Sequence, residues 1–251
     1  LDLKDNEFSS KKFQQVRQFS TEKKLIDSFG RFGMCLNNKA KNSIPTNDLT
    51  KVCLVLMNDH DSKGRDLGVG PLNDGYLIGL KHHRLGFKIF YLYNPTYNVY
   101  LTFLKFFIKN TTSALTVFYS GPNDKIVDGI EFDDGTLSKG EINEAIINSS
   151  NGKTRIMFIT DSLSGNSVYD IEGGKNMISL FAKKMDSNDF KETEKTHGIF
   201  TYYLCKITSD TPNITTKRLI ERMNPCLERF NEKFTCVISN DELNDSPIFF
   251  D

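Results

Sequence analysis

Apolar residues along this chain collect in short continuous runs, separated by stretches in which they recur every three or four positions. The runs are Lys51–Met57, Phe87–Tyr93, Ala114–Tyr119, Thr154–Ile159, Asn176–Ala182 and Phe234–Ser239. They are short for helices and too continuously apolar for half-exposed strands, so they predict strands buried on both faces. Between them, Leu72, Tyr76 and Leu80 predict a helix running to Arg84 and closed by Leu85-Gly86. Tyr97, Leu101, Leu104 and Ile108 give the next helix its stripe, with Thr96 as its cap. Ser138 and Glu141 form a capping box for a helix to Ile147. Gly198–Ile207 reads as helical, and Leu219, Met223, Leu227 and Phe230 define a last amphipathic helix.

Strand and helix alternate at the spacing of right-handed crossovers. The predicted fold is therefore α/β: a three-layer sandwich with a mostly parallel central sheet and helices on both faces. Asp128–Asp134 predicts a hairpin arm turning at Asp134-Gly135. Asn58–Gly70 and Lys183–Lys195 read as loops. Residues 1–50 are polar, with a helical stretch at Glu22–Phe29 and a loop at Asn37–Asn47. They are expected to be an N-terminal extension lying on, or in front of, a single domain at 51–251.

Composition narrows the function classes. Hydrophobic residues are 38% and aromatics 12%, enough for a sizeable core. Lys+Arg and Asp+Glu are both 32, a net charge of zero, which argues against general nucleic-acid binding. No apolar run reaches the length of a membrane span. The chain begins at Leu1, which reads as a trimmed or processed form. Cysteines stand at 35, 53, 205, 226 and 236, an odd number with no CxxC spacing. Buried reduced thiols in a cytoplasmic protein are the expectation, and no zinc motif is present. Asn110, Asn148 and Asn213 head sequons at the frequency chance supplies.

The chemistry should sit where strands end. Ile156–Gly165 (IMFITDSLSG) and Ala114–Pro122 (ALTVFYSGP) are two strands that each spill into a small polar turn with Ser-Gly. In a parallel sheet this places them together at the carboxyl rim, where ligands bind. Further motifs fall in order around them: Gly70-Pro71-Leu72-Asn73-Asp74, Tyr119-Ser120-Gly121, Thr160-Asp161-Ser162-Leu163-Ser164-Gly165, Gly198-Ile199-Phe200-Thr201-Tyr202 and Asp245-Ser246-Pro247. Together they resemble the metacaspases, caspase-fold cysteine peptidases, over roughly Lys51 to the C-terminus. The resemblance aligns the third motif with the family's Asp-x-Cys-His-Ser-Gly.

Against that pattern the chain departs at both catalytic positions. Pro122 stands where the family has its general-base His, and Ser162 where it has the nucleophilic Cys. Proline carries no titratable side chain. A serine hydroxyl has essentially no anion at neutral pH and needs an adjacent base. His60 is the one rim candidate, and His82, His83 and His197 read as surface residues. Remaining oxyanion donors, such as the Gly121 amide, leave about a thousandfold over water in proteases stripped of their triad. The resemblance also implies an acidic pocket for Arg or Lys. Asp74 and Ser120 match two of its positions; Thr160 takes the second acidic one. Asp161, one residue along, is expected to point to the other face. Asp74 has an equal alternative as a charge at a helix start. The family's calcium-binding Asp pair corresponds to Lys139 and Gly140, with Asp133-Asp134 in the hairpin turn, so no activating calcium and no other cofactor is expected.

The expectation is a catalytically inactive metacaspase homologue. It would act by binding a protein or peptide, such as an active paralogue, and not nucleic acid or membrane, and it would be a monomer when alone. The rivals are a Ser162-dependent hydrolase and a deliberately inactivated form of an Arg/Lys-specific peptidase.

Overall fold

The computed structural model describes residues 22–59, 67–124, 128–162, 166–169, 171–184 and 198–249. Ten strands and six α-helices follow one another in the described chain, as α1 (Glu22–Phe29), β1 (Gly33–Cys35), β2 (Lys51–Met57), α2 (Gly70–Arg84), β3 (Lys88–Tyr93), α3 (Tyr97–Asn110), β4 (Ala114–Gly121), β5 (Asn123–Asp124), β6 (Gly129–Phe132), β7 (Gly135–Ser138), α4 (Lys139–Ser149), β8 (Arg155–Ser162), β9 (Met177–Lys184), α5 (Ile199–Asp210), α6 (Thr216–Leu227) and β10 (Glu232–Ile238). Seven strands make one sheet in the order β1-β3-β2-β4-β8-β9-β10. All neighbours are parallel except β9 and β10. This is the α/β sandwich that the alternating runs predict.

The continuous apolar runs follow from burial on both faces. In β2, Cys53, Val55 and Met57 face a core shared with α1, α2, α5 and α6, and Val52, Leu54 and Leu56 face a second core shared with α3 and α4. The same parity holds in β8, where Met157 and Ile159 oppose Ile156 and Phe158. Local signals act as read. Thr96 Oγ1 accepts from the Val99 amide. The Ser138–Glu141 capping box is complete. Gly86 closes α2 at φ 79°, a conformation that favours glycine. In the hairpin, Phe132 pairs with Gly135, so the turn is Asp133-Asp134, one residue earlier than expected.

Residues 22–50 are built into the domain. Leu25 and Phe29 are fully buried, and β1 pairs in parallel with β3, from Gly33 opposite Ile89 to Cys35 opposite Tyr91. The extension expected over 1–50 is therefore an outer layer of the core from residue 22 on. Its polar sequence concealed this because α1 buries only one narrow face. His82 is also corrected. It lies fully buried between Phe87 and Phe249, with Nδ1 2.9 Å from the Ile78 carbonyl. Burial lowers its pKa to about 3, so the imidazole is neutral. His83 is exposed and stacks on Phe32.

Helix α2 packs tightly on β2 because Gly75 lacks a side chain. A Cβ added at Gly75 would lie 2.2 Å from Met57 Sδ and 2.9 Å from Val55 Cγ1. At Gly140, on α4, a Cβ would meet nothing within 4 Å. Gly75→Ala is expected to lower the free energy of unfolding by about 1–3 kcal/mol through overpacking. Gly140→Ala is expected to raise it by up to about 1 kcal/mol. Urea denaturation of both variants checks the pair; equal effects would contradict the packing account.

Candidate functional site

The connection leaving β2 runs to β3 on one side, and the one leaving β4 runs to β8 on the other. The crevice between the carboxyl ends of β2 and β4 is thus the topological switch point, where open α/β sheets place their ligands. Asn58, Ser120 and Gly121 line it. The Asn58 amide donates to the Ser120 carbonyl at 3.0 Å, and Asn58 Nδ2 donates to the Glu131 carbonyl at 2.8 Å, tying the hairpin to the rim. Gly121 has φ 154°, and a Cβ there would stand 2.7 Å from the Asn58 oxygen, so a side chain is excluded.

The register of β4 on β8 arranges the rest. Tyr119 pairs with Thr160, Ser120 with Asp161 and Gly121 with Ser162. Ser120 shares parity with Phe118, and Asp161 with Ile159, both in the core beneath α2 and α5. Asp161 therefore points to the same face as Ser120. Asp74, in the second turn of α2, reaches the same place. Its Oδ2 accepts from Ser120 Oγ at 3.0 Å, and both its oxygens accept from the Gly198 amide, at 2.8 and 3.0 Å. Asp161 Oδ2 accepts from the Thr201 amide at 3.0 Å and from Thr201 Oγ1 at 2.7 Å. The two carboxylates converge on Gly198, the N-cap of α5.

Two expectations change here. Asp161 does not point away; it faces Asp74, and Thr160 takes the opposite parity, 1% exposed, with no partner at Oγ1 among the described residues. The offset was counted along one strand, whereas the facing is set by pairing with Ser120. Nor does Asp74 cap its own helix. The N-cap of α2 is Val69, without a side-chain bond, and Asp74 serves the start of α5 instead. Gly198 and Thr201 are site residues that sequence reasoning did not assign. Their signal was the Gly-Ile-Phe-Thr-Tyr motif, a helix start with a glycine cap and a donor one turn in.

The two positions that the resemblance aligned with a catalytic pair hold Pro122 and Ser162. Pro122 is buried, and its carbonyl accepts from the Tyr119 hydroxyl. Ser162 Oγ donates to the Asn166 carbonyl at 3.1 Å, not to an imidazole. Cys205, on α5, lies near both Asp74 and Asp161, but burial pushes its thiol up to about 12, so it is protonated. His82 is eight residues beyond Asp74, about 12 Å along the helix axis. His60, His197 and residues 163–165 lie outside the described residues, as does the basic stretch 191–195.

No group of three or more metal-ligating side chains occurs among the described residues. Asp134 Oδ1 caps α3 by accepting from the Tyr97 amide at 3.0 Å. Lys139 Nζ lies 3.6 Å from Asp128. No helix among the described residues is long and apolar enough to cross a membrane.

No family model matches this chain, and no curated protein matches it. Solved structures do. Protein GSU0716 from Geobacter sulfurreducens superposes with a TM-score of 0.59 at 14% identity, covering 80% of this chain and 98% of that one. Caspase-1 from Spodoptera frugiperda gives 0.58 at 12% identity, covering 78% of this chain and 88% of that one. The fold is caspase-like. At such identities the likeness is one of architecture, and the site has to be read from its own residues.

Burial, and then the charge of Asp161, pushes the Asp74 carboxyl well above the usual carboxylate range, against the opposing hydrogen bonds from Gly198 and Ser120. A group with a raised folded-state pKa contributes stability below its unfolded pKa and loses it as pH rises through the folded value. Asp74→Asn keeps an acceptor for Gly198 without the charge. It is expected to raise the melting temperature at pH 8, with the gain fading toward about pH 4, the ordinary carboxylate range. An unchanged or lowered melting temperature at pH 8 would contradict the charge conflict.

Proposed function

We propose that this chain is a catalytically inactive, metacaspase-like pseudopeptidase that works by binding a protein or peptide rather than cutting it. One observation carries the reading: an acidic pocket is assembled from Asp74, Ser120 and Asp161 at a caspase-like rim, beside catalytic positions that hold neither base nor thiolate. Pro122 takes no proton. The Ser162 hydroxyl is directed to a carbonyl that cannot deprotonate it.

The strand register supports a one-residue change in how the third motif is aligned. If Asp161 holds the acidic position of Asp-x-Cys, then the cysteine position falls on Leu163 rather than Ser162. A leucine there ends nucleophilic chemistry more completely than a serine. It also weakens the alternative in which Ser162 is a working nucleophile. The pocket residues favour a ligand with a basic side chain. That ligand would be a peptide, or a segment of an active paralogue whose substrates this chain could hold. Calcium activation is not part of the reading, since a lysine, Lys139, stands at one of the family's carboxylate positions and would repel the ion. All five cysteines are free, which suits a reducing compartment such as the cytoplasm.

A restoration experiment tests this. The chain as it stands is expected to leave Arg and Lys peptides intact, with or without calcium. Pro122→His with Leu163→Cys is expected to release measurable cleavage, whereas Pro122→His with Ser162→Cys is expected to stay at background. Cleavage by the native chain that disappears in Ser162→Ala would overturn the inactive reading. Activity in the Ser162→Cys pair alone would return the nucleophile position to Ser162.

A further inference from the structure

The acidic pocket is already occupied, and its occupant belongs to the same chain. The first turn of α5 supplies donors to both Asp74 and Asp161. The Gly198 amide spans both oxygens of Asp74, and the Thr201 amide and hydroxyl share Asp161 Oδ2. The approach is so close that a Cβ on Gly198 would stand 2.0 Å from Asp161 Oδ2 and 2.5 Å from its Cγ. The unpaired amides at a helix start carry partial positive charge. The start of α5 thus acts toward this carboxylate pair as an internal cation. Thr201 is fully buried and Asp74 is 2% exposed, so the arrangement is closed to solvent at its centre.

We propose that the first turn of α5 is an autoinhibitory contact, which a basic ligand must displace from Asp74 and Asp161 before it binds. This rests on the pocket-binding reading above and adds its control. A ligand ammonium or guanidinium and the α5 amides compete for the same oxygens. Binding is therefore coupled to loosening of residues 198–201. Anything that weakens the internal contact without altering the carboxylates tightens ligand binding, because the ligand no longer works against a populated closed state.

Thr201→Val separates this from a plain structural role. Valine keeps the shape of threonine in its buried site and removes the hydroxyl donor, while the backbone amide stays. Thr201→Ser keeps the donor. The probe is a fluorescein-labelled peptide amide with one arginine, compared with the same peptide carrying norleucine, and binding is read by fluorescence polarisation on the full chain. Circular dichroism confirms that each variant is folded. Thr201→Val is expected to bind the arginine peptide about three- to tenfold more tightly, the scale of one ordinary net hydrogen bond. Thr201→Ser is expected to match the native chain, and Asp74→Asn to lose arginine-dependent binding. Hydrogen exchange at the Gly198 and Thr201 amides is expected to quicken when the peptide is bound. Arginine-dependent binding that is no tighter in Thr201→Val, or that leaves these amides as protected as before, would overturn the autoinhibitory contact and leave the pocket reading standing. No arginine-dependent binding even in Thr201→Val would overturn the pocket reading itself.

Discussion

The register between β4 and β8 is the constraint on which the site depends. Parallel strands have a side-chain period of two, so a slip of one residue would exchange every face. Here the register is held by burial on both sides: Phe118 and Ile159 belong to one core, and Val117 and Phe158 to the other. Neither set can reverse without placing helix-facing volumes in the wrong layer. Once those pairs are in place, Ser120 and Asp161 are neighbours on the α2–α5 face. Asp74 then meets them because Gly75 and Gly79 let α2 lie close against β2 and α1. The packing of neighbouring apolar side chains thus positions two carboxylates.

Bringing those carboxylates together is unfavourable in itself. Burial and like charge both oppose ionisation of Asp74. The fold offsets part of this with oriented dipoles: the Ser120 hydroxyl, the Gly198 amide, and the amide and hydroxyl of Thr201. Residual conflict of this kind marks sites whose charge has a use. The proposed reading supplies one: a pocket that favours a cation and is held closed by the start of a helix until a cation arrives.

The rim tells the same story from the opposite direction. A peptidase of this architecture needs a nucleophile and a base at neighbouring strand ends. The positions that the sequence resemblance first aligned with them hold a buried proline, whose carbonyl is tied to Tyr119, and a serine tied to the Asn166 carbonyl. The Tyr119 and Ser162 hydroxyls spend their hydrogen bonds on backbone carbonyls, and the Ser120 hydroxyl on Asp74. Under the proposed reading, such a site holds its shape and moves no proton.

What the sequence determined alone was most of what has a local or periodic cause. Continuous apolar runs meant strands buried on both faces, and the capping box at Ser138, the Thr96 cap and Gly86 marked helix ends to the residue. Read through the resemblance, the sequence set Pro122 and Ser162 in place of a His-Cys pair. What lay beyond it were facings and occupancies set by distant partners. Asp161 was misjudged because its direction is decided by pairing with Ser120, forty-one positions away in the chain. His82 reads as a surface residue in the sequence because its covering ring, Phe249, comes from the far end of the described chain. The segment before β2 looked like an appendage, since pairing of β1 with β3 leaves no periodic trace in three residues. The seat of α5 on Asp74 joins positions 124 apart, and only the folded chain brings a glycine amide there. Periodicity reports which side of an element is buried; only the tertiary structure decides what it is buried against.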